Sequence, residues 1–362
     1  MYILLKLIYT FESKEGYILE PTIQKTRIEV IDLLRGFALI GLPFVNVIGL
    51  WMGRLNLSGT ETDIFVQRFL YIFIEGRFYA IFSFLFGLGI WIFLSKAKEK
   101  TAKPYRLFLR RMLLLGIIGA IHQVFQPGEA LLIYALISFI VLFFDKLPKQ
   151  LNLSLGIIGV IVGSLLAVKL LLPIPLMILG LAFGQYRIFE KVNENRKIWI
   201  GVMFISFLIT CFLVVYLWQE APAQGSAAFI GDVEETEAQI QSNMQFYEFV
   251  KLSMTVAPFF SVFYVSFLVV IEPLMRNLLV AINALGRMAF TNYIGQTVFL
   301  LLFMQMALSR KIASYEMAVI VCAVIIIFQM FISLVWLKMF KYGPLEWLWR
   351  CGTYGKWLSI KK

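Results

Sequence analysis

One histidine and three cysteines are all that 362 residues supply of the commonest soft metal ligands. Cys211, Cys322 and Cys351 have no CxxC partner and no metal-ligand spacing, so neither a zinc site nor a disulfide framework is supported. They read as small apolar fillers. HExxH, GxSxG, a paired-aspartate cluster and the Walker-type GxxxxGK[ST] are all missing, which removes the common zinc-hydrolase, serine-hydrolase and P-loop chemistries. Charge is scarce as well, at 15% of residues against about 25% in soluble domains. What fills the space is oil: 60% of the chain is hydrophobic and the mean hydropathy is +0.82. That balance excludes disorder. A net charge of +11 on a soluble protein would point to a polyanion partner. In a polytopic membrane protein the same excess belongs to basic cytoplasmic loops, and a nucleic-acid partner is not expected.

A spanning helix needs roughly 20 apolar residues. Candidate spans lie near 35–52, 69–94, 111–126, 129–144, 152–169, 172–187, 198–218, 254–272, 287–308 and 315–337. The expected fold class is therefore all-α, a polytopic bundle of about ten helices. Within 152–187, Lys169, Pro173 and Pro175 mark either a tight turn or a kink. The N-terminal apolar stretch is too short for a signal-peptide core and has no small-residue cleavage site, so 1–26 reads as a variable extension ahead of one membrane domain over 27–362.

Basic residues orient the bundle. Lys96, Lys98, Lys100, Lys103, Arg106, Arg110 and Arg111 cluster between the second and third spans, and Lys338, Lys341, Arg350, Lys356, Lys361 and Lys362 end the chain. Residues 219–250 hold no Lys or Arg but carry Glu220, Asp232, Glu234, Glu235, Glu237 and Glu248. With ten spans, both termini fall inside and this acidic segment is an outer loop.

Ionisable side chains in spans are expensive and mark candidate sites. Their inner group starts with Asp32 and Arg35, three apart on one helix face. Asn46 lies eleven residues beyond Arg35, about 16 Å and close to three turns along the same face. Arg287 with Thr291, Asn292 with Gln296, and Glu346 with Arg350 are further pairs four apart. In the outer group, Glu75 and Arg77 sit inside the second span, His122 near the outer end of the third, and Glu129 just after the turn Gln126-Pro127-Gly128. An imidazole beside a carboxylate makes a general base, because the carboxylate selects the tautomer and raises basicity. The plainer alternatives are a buried histidine satisfied by backbone and polar pairs that only hold helices together.

The blocks IDLLRGFALIGLPFVN, EGRFYAIFSFLFGLG, GAIHQVFQPGEALLIYA, LGRMAFTNYIGQ and YGPLEWLWRCGTYGK, spread from about Arg27 to Trp357, resemble those of the YeiB-like bacterial membrane proteins, a family filed as a domain of unknown function. That family is similar in turn to the integral-membrane acyltransferases, which include heparan-alpha-glucosaminide N-acetyltransferase and bacterial sugar O-acyltransferases. The sugar O-acyltransferases carry an Arg and a later His in the first span. Arg35 matches the Arg, while Asn46 stands in the place of the His and is no base at neutral pH. In the YeiB-like pattern a third-span His precedes Gly-Asp; His122 matches and Glu129 replaces the Asp.

The resemblance implies transfer of an acyl group from cytoplasmic acyl-CoA to an envelope glycan, lipid or small-molecule acceptor on the far side of a bacterial inner membrane. No permanently bound cofactor or metal is expected. On this reading Arg35, Arg287 and Arg350, with Asn292, hold the phosphates of the donor. His122 deprotonates the acceptor, oriented by Glu129 and helped by Arg77 at a developing oxyanion, with Glu75 a further candidate catalytic residue across from the pair. Asp32, Asn46, Gln296 and Glu346 are polar structural partners. The alternative is a transporter in which His122 and Glu129 relay protons and no covalent chemistry takes place.

Overall fold

The computed structural model describes residues 28–51, 61–168, 170–222, 237–309 and 314–362. The extension over 1–26 and Lys169 lie outside the described residues. Among the described residues thirteen helices follow in order: α1 (Glu29–Trp51), α2 (Glu61–Phe73), α3 (Arg77–Lys100), α4 (Pro104–Phe125), α5 (Ala130–Phe144), α6 (Lys149–Leu166), α7 (Pro173–Gln185), α8 (Arg196–Glu220), α9 (Glu237–Met275), α10 (Val280–Arg287), α11 (Ala289–Ser309), α12 (Tyr315–Met339) and α13 (Pro344–Tyr354). Among the described residues there is no strand, only one bridge between Phe340 and Lys361. The all-α expectation holds.

Among the described residues, seven stretches are long and apolar enough to cross a membrane, and α5 and α7 are shorter apolar helices. This is a multi-pass membrane protein. Its large apolar side chains point outward along whole helices, as at Ile205, Leu208 and Phe212 on α8 and Ile320, Val324 and Phe331 on α12. In water such faces would be untenable; against lipid they are the ordinary surface. Between the helices, small residues permit close approach. A methyl group on Gly87 would collide with the Met177 carbonyl, and one on Gly180 with that of Phe84, so α3 and α7 cross backbone to backbone. Gly36 and Gly286 serve α1 and α10 in the same way, Gly286 lying against the Asp32 carbonyl.

Three expected elements change form. The span over 69–94 is broken at 74–76, where Gly76 takes a left-handed φ of 77° and separates α2 from α3. The span over 287–308 begins after a second break, at Met288 between α10 and α11. The acidic segment over 219–250 is not a loop throughout, because α9 already starts at Glu237. Its 39 residues reach about 58 Å, well beyond a hydrocarbon core of about 30 Å, so its first turns with exposed Glu237 and Glu248 extend past the apolar layer. The choice over 152–187 falls to a tight turn: Ala167 adopts a left-handed φ of 51°, and Pro173 opens α7.

Candidate functional site

The short connection Gln126–Glu129 folds α5 back against α4. Glu129 is the N-cap of α5, its Oε2 accepting the Leu131 N–H at 2.8 Å and its Oε1 that of Leu132 at 2.6 Å. Capping fixes the carboxylate where a helix N-terminus favours an anion. It also aims Oε2 at His122, in the last turn of α4, whose Nδ1 lies 3.1 Å away. The expected His122–Glu129 pair therefore forms. An ionised carboxylate only accepts, so opposite an ionised Glu129 it is Nδ1 that donates, and whenever the ring is neutral in that tautomer Nε2 offers a lone pair. That nitrogen lies 2.9 Å from Thr297 Oγ1 of α11, whose hydroxyl donates to Gln126 Oε1. His122, Gln126, Glu129 and Thr297 are 5%, 4%, 1% and 1% exposed. Tyr293, one turn before Thr297, sets its ring edge-on to the imidazole at 5.4 Å and takes the Ala130 N–H on its hydroxyl. The imidazole is thus held on three sides.

Glu75 and Arg77 occupy the α2–α3 break. Arg77 is wholly buried, and its Nη1 donates to the Tyr71 carbonyl at 2.9 Å, the Glu75 carbonyl at 2.6 Å and Ser253 Oγ at 2.6 Å. Two of these acceptors are carbonyls left over at the end of α2, where the helix dipole also favours a cation. The guanidinium lies 4.4 Å from the Phe260 ring centroid, and Tyr264 Oη donates to the Phe73 carbonyl at 3.0 Å. Nη1 is thus given to the broken helix and to Ser253, while Nε and Nη2 are buried with no hydrogen-bond partner among the described residues. Glu75 acts electrostatically on Tyr79, whose ring stands 6.1 Å from that of Tyr134.

At the basic end of the bundle, Arg35 pairs with Asp32 at 3.5 Å and runs beside Gly89 of α3. Arg111 opens toward the same place. Its guanidinium is sandwiched between Trp349, at 3.5 Å, and Phe93, at 4.9 Å, and Arg350 and Arg35 both act on it as like charges. No carboxylate pairs with Arg111 among the described residues. Arg350 lies over the Tyr342 ring at 4.5 Å. Arg287 ends α10, brought to the level of Asp32 by the Gly286 contact.

The curated relatives match almost end to end. An "uncharacterized 39.9 kDa protein in amylase 3'region" of Bacillus acidopullulyticus is 38% identical over 94% of this chain and 98% of that protein. The uncharacterized protein YxaH of Bacillus subtilis is 28% identical over 95% and 98%, and YeiB of Escherichia coli 25% over 88% and 94%. A family model described as "Protein of unknown function (DUF418)" matches residues 183–356. The chain belongs to this YeiB-like family. No solved structure matches it.

Several polar pairs expected in this YeiB-like chain take other partners. Asn292 does not bond Gln296; its Nδ2 donates to the Leu285 carbonyl at 3.1 Å and Ser333 Oγ at 2.9 Å, stitching α11 to α10 and α12. Gln296 donates to the Leu39 carbonyl at 3.0 Å and to Gln329 at 3.2 Å, and Gln329 returns to the Asn292 carbonyl at 2.9 Å. Asn46 Nδ2 is buried with no hydrogen-bond partner among the described residues.

Glu346 turns away from Arg350 and caps α11, accepting from the Phe290 N–H at 2.7 Å, the Thr291 N–H at 3.1 Å and Thr291 Oγ1 at 2.5 Å. Thr291 in turn accepts the Leu345 N–H at 3.1 Å, so α13 and α11 cap each other. Burial pushes the Glu346 carboxyl above its ordinary pKa, against the hydrogen bonds from Thr291 and Phe290. The folded protein therefore holds this proton more tightly than the unfolded chain. The stability it contributes is complete below the ordinary carboxylate pKa and is lost as pH rises through the raised one. Melting temperatures of the wild type and Glu346→Gln, compared from acid to neutral pH, are expected to move in the variant's favour as pH rises. A pH-independent difference would contradict this account.

Thr297, Gln126 and Arg111 were not singled out as site residues in the sequence. One signal existed for Arg111: it precedes His122 by eleven residues, close to three turns, on the same face of α4.

Proposed function

We propose that this chain is an acyltransferase of the bacterial cytoplasmic membrane, with both termini inside, that takes an acyl group from acyl-CoA at its basic end and delivers it to an envelope acceptor near His122. The observation that carries the reading is the buried Glu129–His122 pair, with Nδ1 held by a capped carboxylate and Nε2 turned to a hydroxyl. A histidine that only filled space needs no carboxylate fixed by two backbone amides. The same pair replaces, from the third expected span, the base that Asn46 cannot supply.

Arg111, Arg35 and Arg350, with Arg287 at the same level, supply guanidinium groups suited to the phosphates of the donor. Arg111 and His122 stand about 16 Å apart along one helix face, the length scale of an extended pantetheine arm. The chemistry then needs a base to take the proton of the attacking group and return it to the departing thiolate, and His122 is placed for both transfers.

Coenzyme A is expected to bind the detergent-solubilised protein, and Arg111→Ala and Arg35→Ala each to weaken it roughly tenfold or more, the scale of one lost charge-assisted contact. Calorimetric or fluorescence titration reads the difference. No binding to the wild type, together with counterflow of a labelled solute in vesicles, would replace the transferase reading with transport.

A further inference from the structure

Both nitrogens of His122 are already engaged inside the protein, Nδ1 by Glu129 and Nε2 by Thr297. An acceptor arriving from outside finds no lone pair on the imidazole until Thr297 is displaced. The hydroxyl that faces the base is the protein's own. We propose that Thr297 is the nucleophile that His122 activates, and that the acyl group rests on Thr297 Oγ1 as an ester before it reaches its acceptor; this rests on the acyl-transfer reading above.

The arrangement has the three parts that activate a hydroxyl: a fixed carboxylate, an imidazole oriented by it, and an oxygen within 2.9 Å of the distal nitrogen. The hydroxyl proton has two acceptors within reach, Gln126 Oε1 and His122 Nε2. Rotation about the Cβ–Oγ1 bond carries it from one to the other with no heavy atom moving. Tyr293, in edge contact with the imidazole, keeps the ring in the plane that serves Thr297. Thr353, a threonine used only within its own helix, is satisfied by the Trp349 carbonyl. Thr297 instead collects two side chains from the α4 end, one of them backed by Glu129.

The steps balance without another reactant. Thr297 Oγ1 attacks the thioester carbonyl carbon while His122 Nε2 takes its proton. The C–S bond breaks, and the proton passes to the thiolate, which leaves as coenzyme A. An acceptor hydroxyl or amine then attacks the Thr297 ester, His122 takes the acceptor's proton and returns it to Oγ1, and the acylated product departs. Donor and acceptor need never occupy the protein together, which suits partners that approach from opposite faces.

A covalent intermediate makes the first half-reaction reversible without any acceptor. Full-length protein in detergent, given acetyl-CoA or palmitoyl-CoA and labelled coenzyme A, is expected to exchange label into the thioester. It should also accumulate a hydroxylamine-labile acyl group on the peptide carrying Thr297. Thr297→Ala and the near-isosteric Thr297→Val lower both signals to background, and Thr297→Ser keeps both, while thermal melts show all three variants folded. Undiminished exchange in Thr297→Ala or Thr297→Val overturns the proposal. So does a wild type that binds coenzyme A and transfers acyl groups but exchanges nothing, and in that case the acyl-transfer reading survives. A wild type that binds no coenzyme A sinks that reading and the ester with it.

Discussion

Replacing His122 by Ala is expected to lower acyl-CoA turnover by roughly two to four orders of magnitude, the usual contribution of a positioned general base. The fold is expected to survive. Without the imidazole, Glu129 still accepts the Leu131 and Leu132 N–H groups, and Thr297 keeps Gln126. No buried group is stranded, so the stability loss stays near the roughly 1 kcal/mol typical of single substitutions. Thiol release from acetyl-CoA by membranes enriched in the protein measures the first quantity, and the melting temperature of purified protein the second. Full turnover in the variant removes His122 from the chemistry. Glu129→Gln is a gentler companion: its amide cannot accept at both oxygen positions, so it loosens either the cap or the histidine.

Arg77→Leu is expected to act in the opposite sense, through stability first. Arg77 Nη1 serves the Tyr71 and Glu75 carbonyls and Ser253 at once, and the rest of the guanidinium lies over Phe260. Leucine fills similar space but donates nothing. Ser253 still reaches the Tyr71 carbonyl at 2.6 Å, yet the Glu75 carbonyl is left without Arg77, at a cost of about 1–3 kcal/mol. Size-exclusion profiles of solubilised Arg77→Leu should show far less monodisperse protein than wild type. Arg77→Lys should recover part of it, because an ammonium group can still donate to one of the carbonyls. A variant as stable as wild type would mean that the break is held by α9 alone, through Ser253, Ser261 and Tyr264.

The two substitutions separate what the outer polar residues do. Glu75 and Arg77 looked like partners of His122 because all four acidic and basic groups fall in spans expected to end on one side. The break at Gly76 turns Nη1 of Arg77 toward the backbone of its own segment. A helix interrupted inside a bundle exposes carbonyls that lipid cannot satisfy, and Arg77 turns one of its nitrogens, Nη1, to meet them. Sequence periodicity carries no sign of this, because an apolar run reads the same whether or not one glycine within it adopts a positive φ.

Similar reasoning covers the basic end. Glu346 and Arg350 have the spacing of a helical ion pair, but a second break at Met288 exposes the Phe290 and Thr291 amides, and the carboxylate goes to them. Backbone donors buried at a helix start outweigh a half-exposed arginine that water or an aromatic ring already serves. Arg350 is left over Tyr342, and Arg111, read first as a loop charge, is held between two aromatic faces.

Composition and hydropathy were enough to establish a helical, multi-pass membrane protein, because burying apolar side chains against lipid requires long uncharged runs that nothing else explains. The short turn between α4 and α5 also made the meeting of His122 and Glu129 readable, since so few residues leave little freedom. Partners that come from distant segments were decided by the packing alone. Thr297 lies 175 positions from His122, and the helix breaks at Gly76 and Met288 redirect Arg77 and Glu346. Such contacts depend on which buried backbone groups are left unsatisfied once the helices have packed, a quantity that does not exist before the chain is folded.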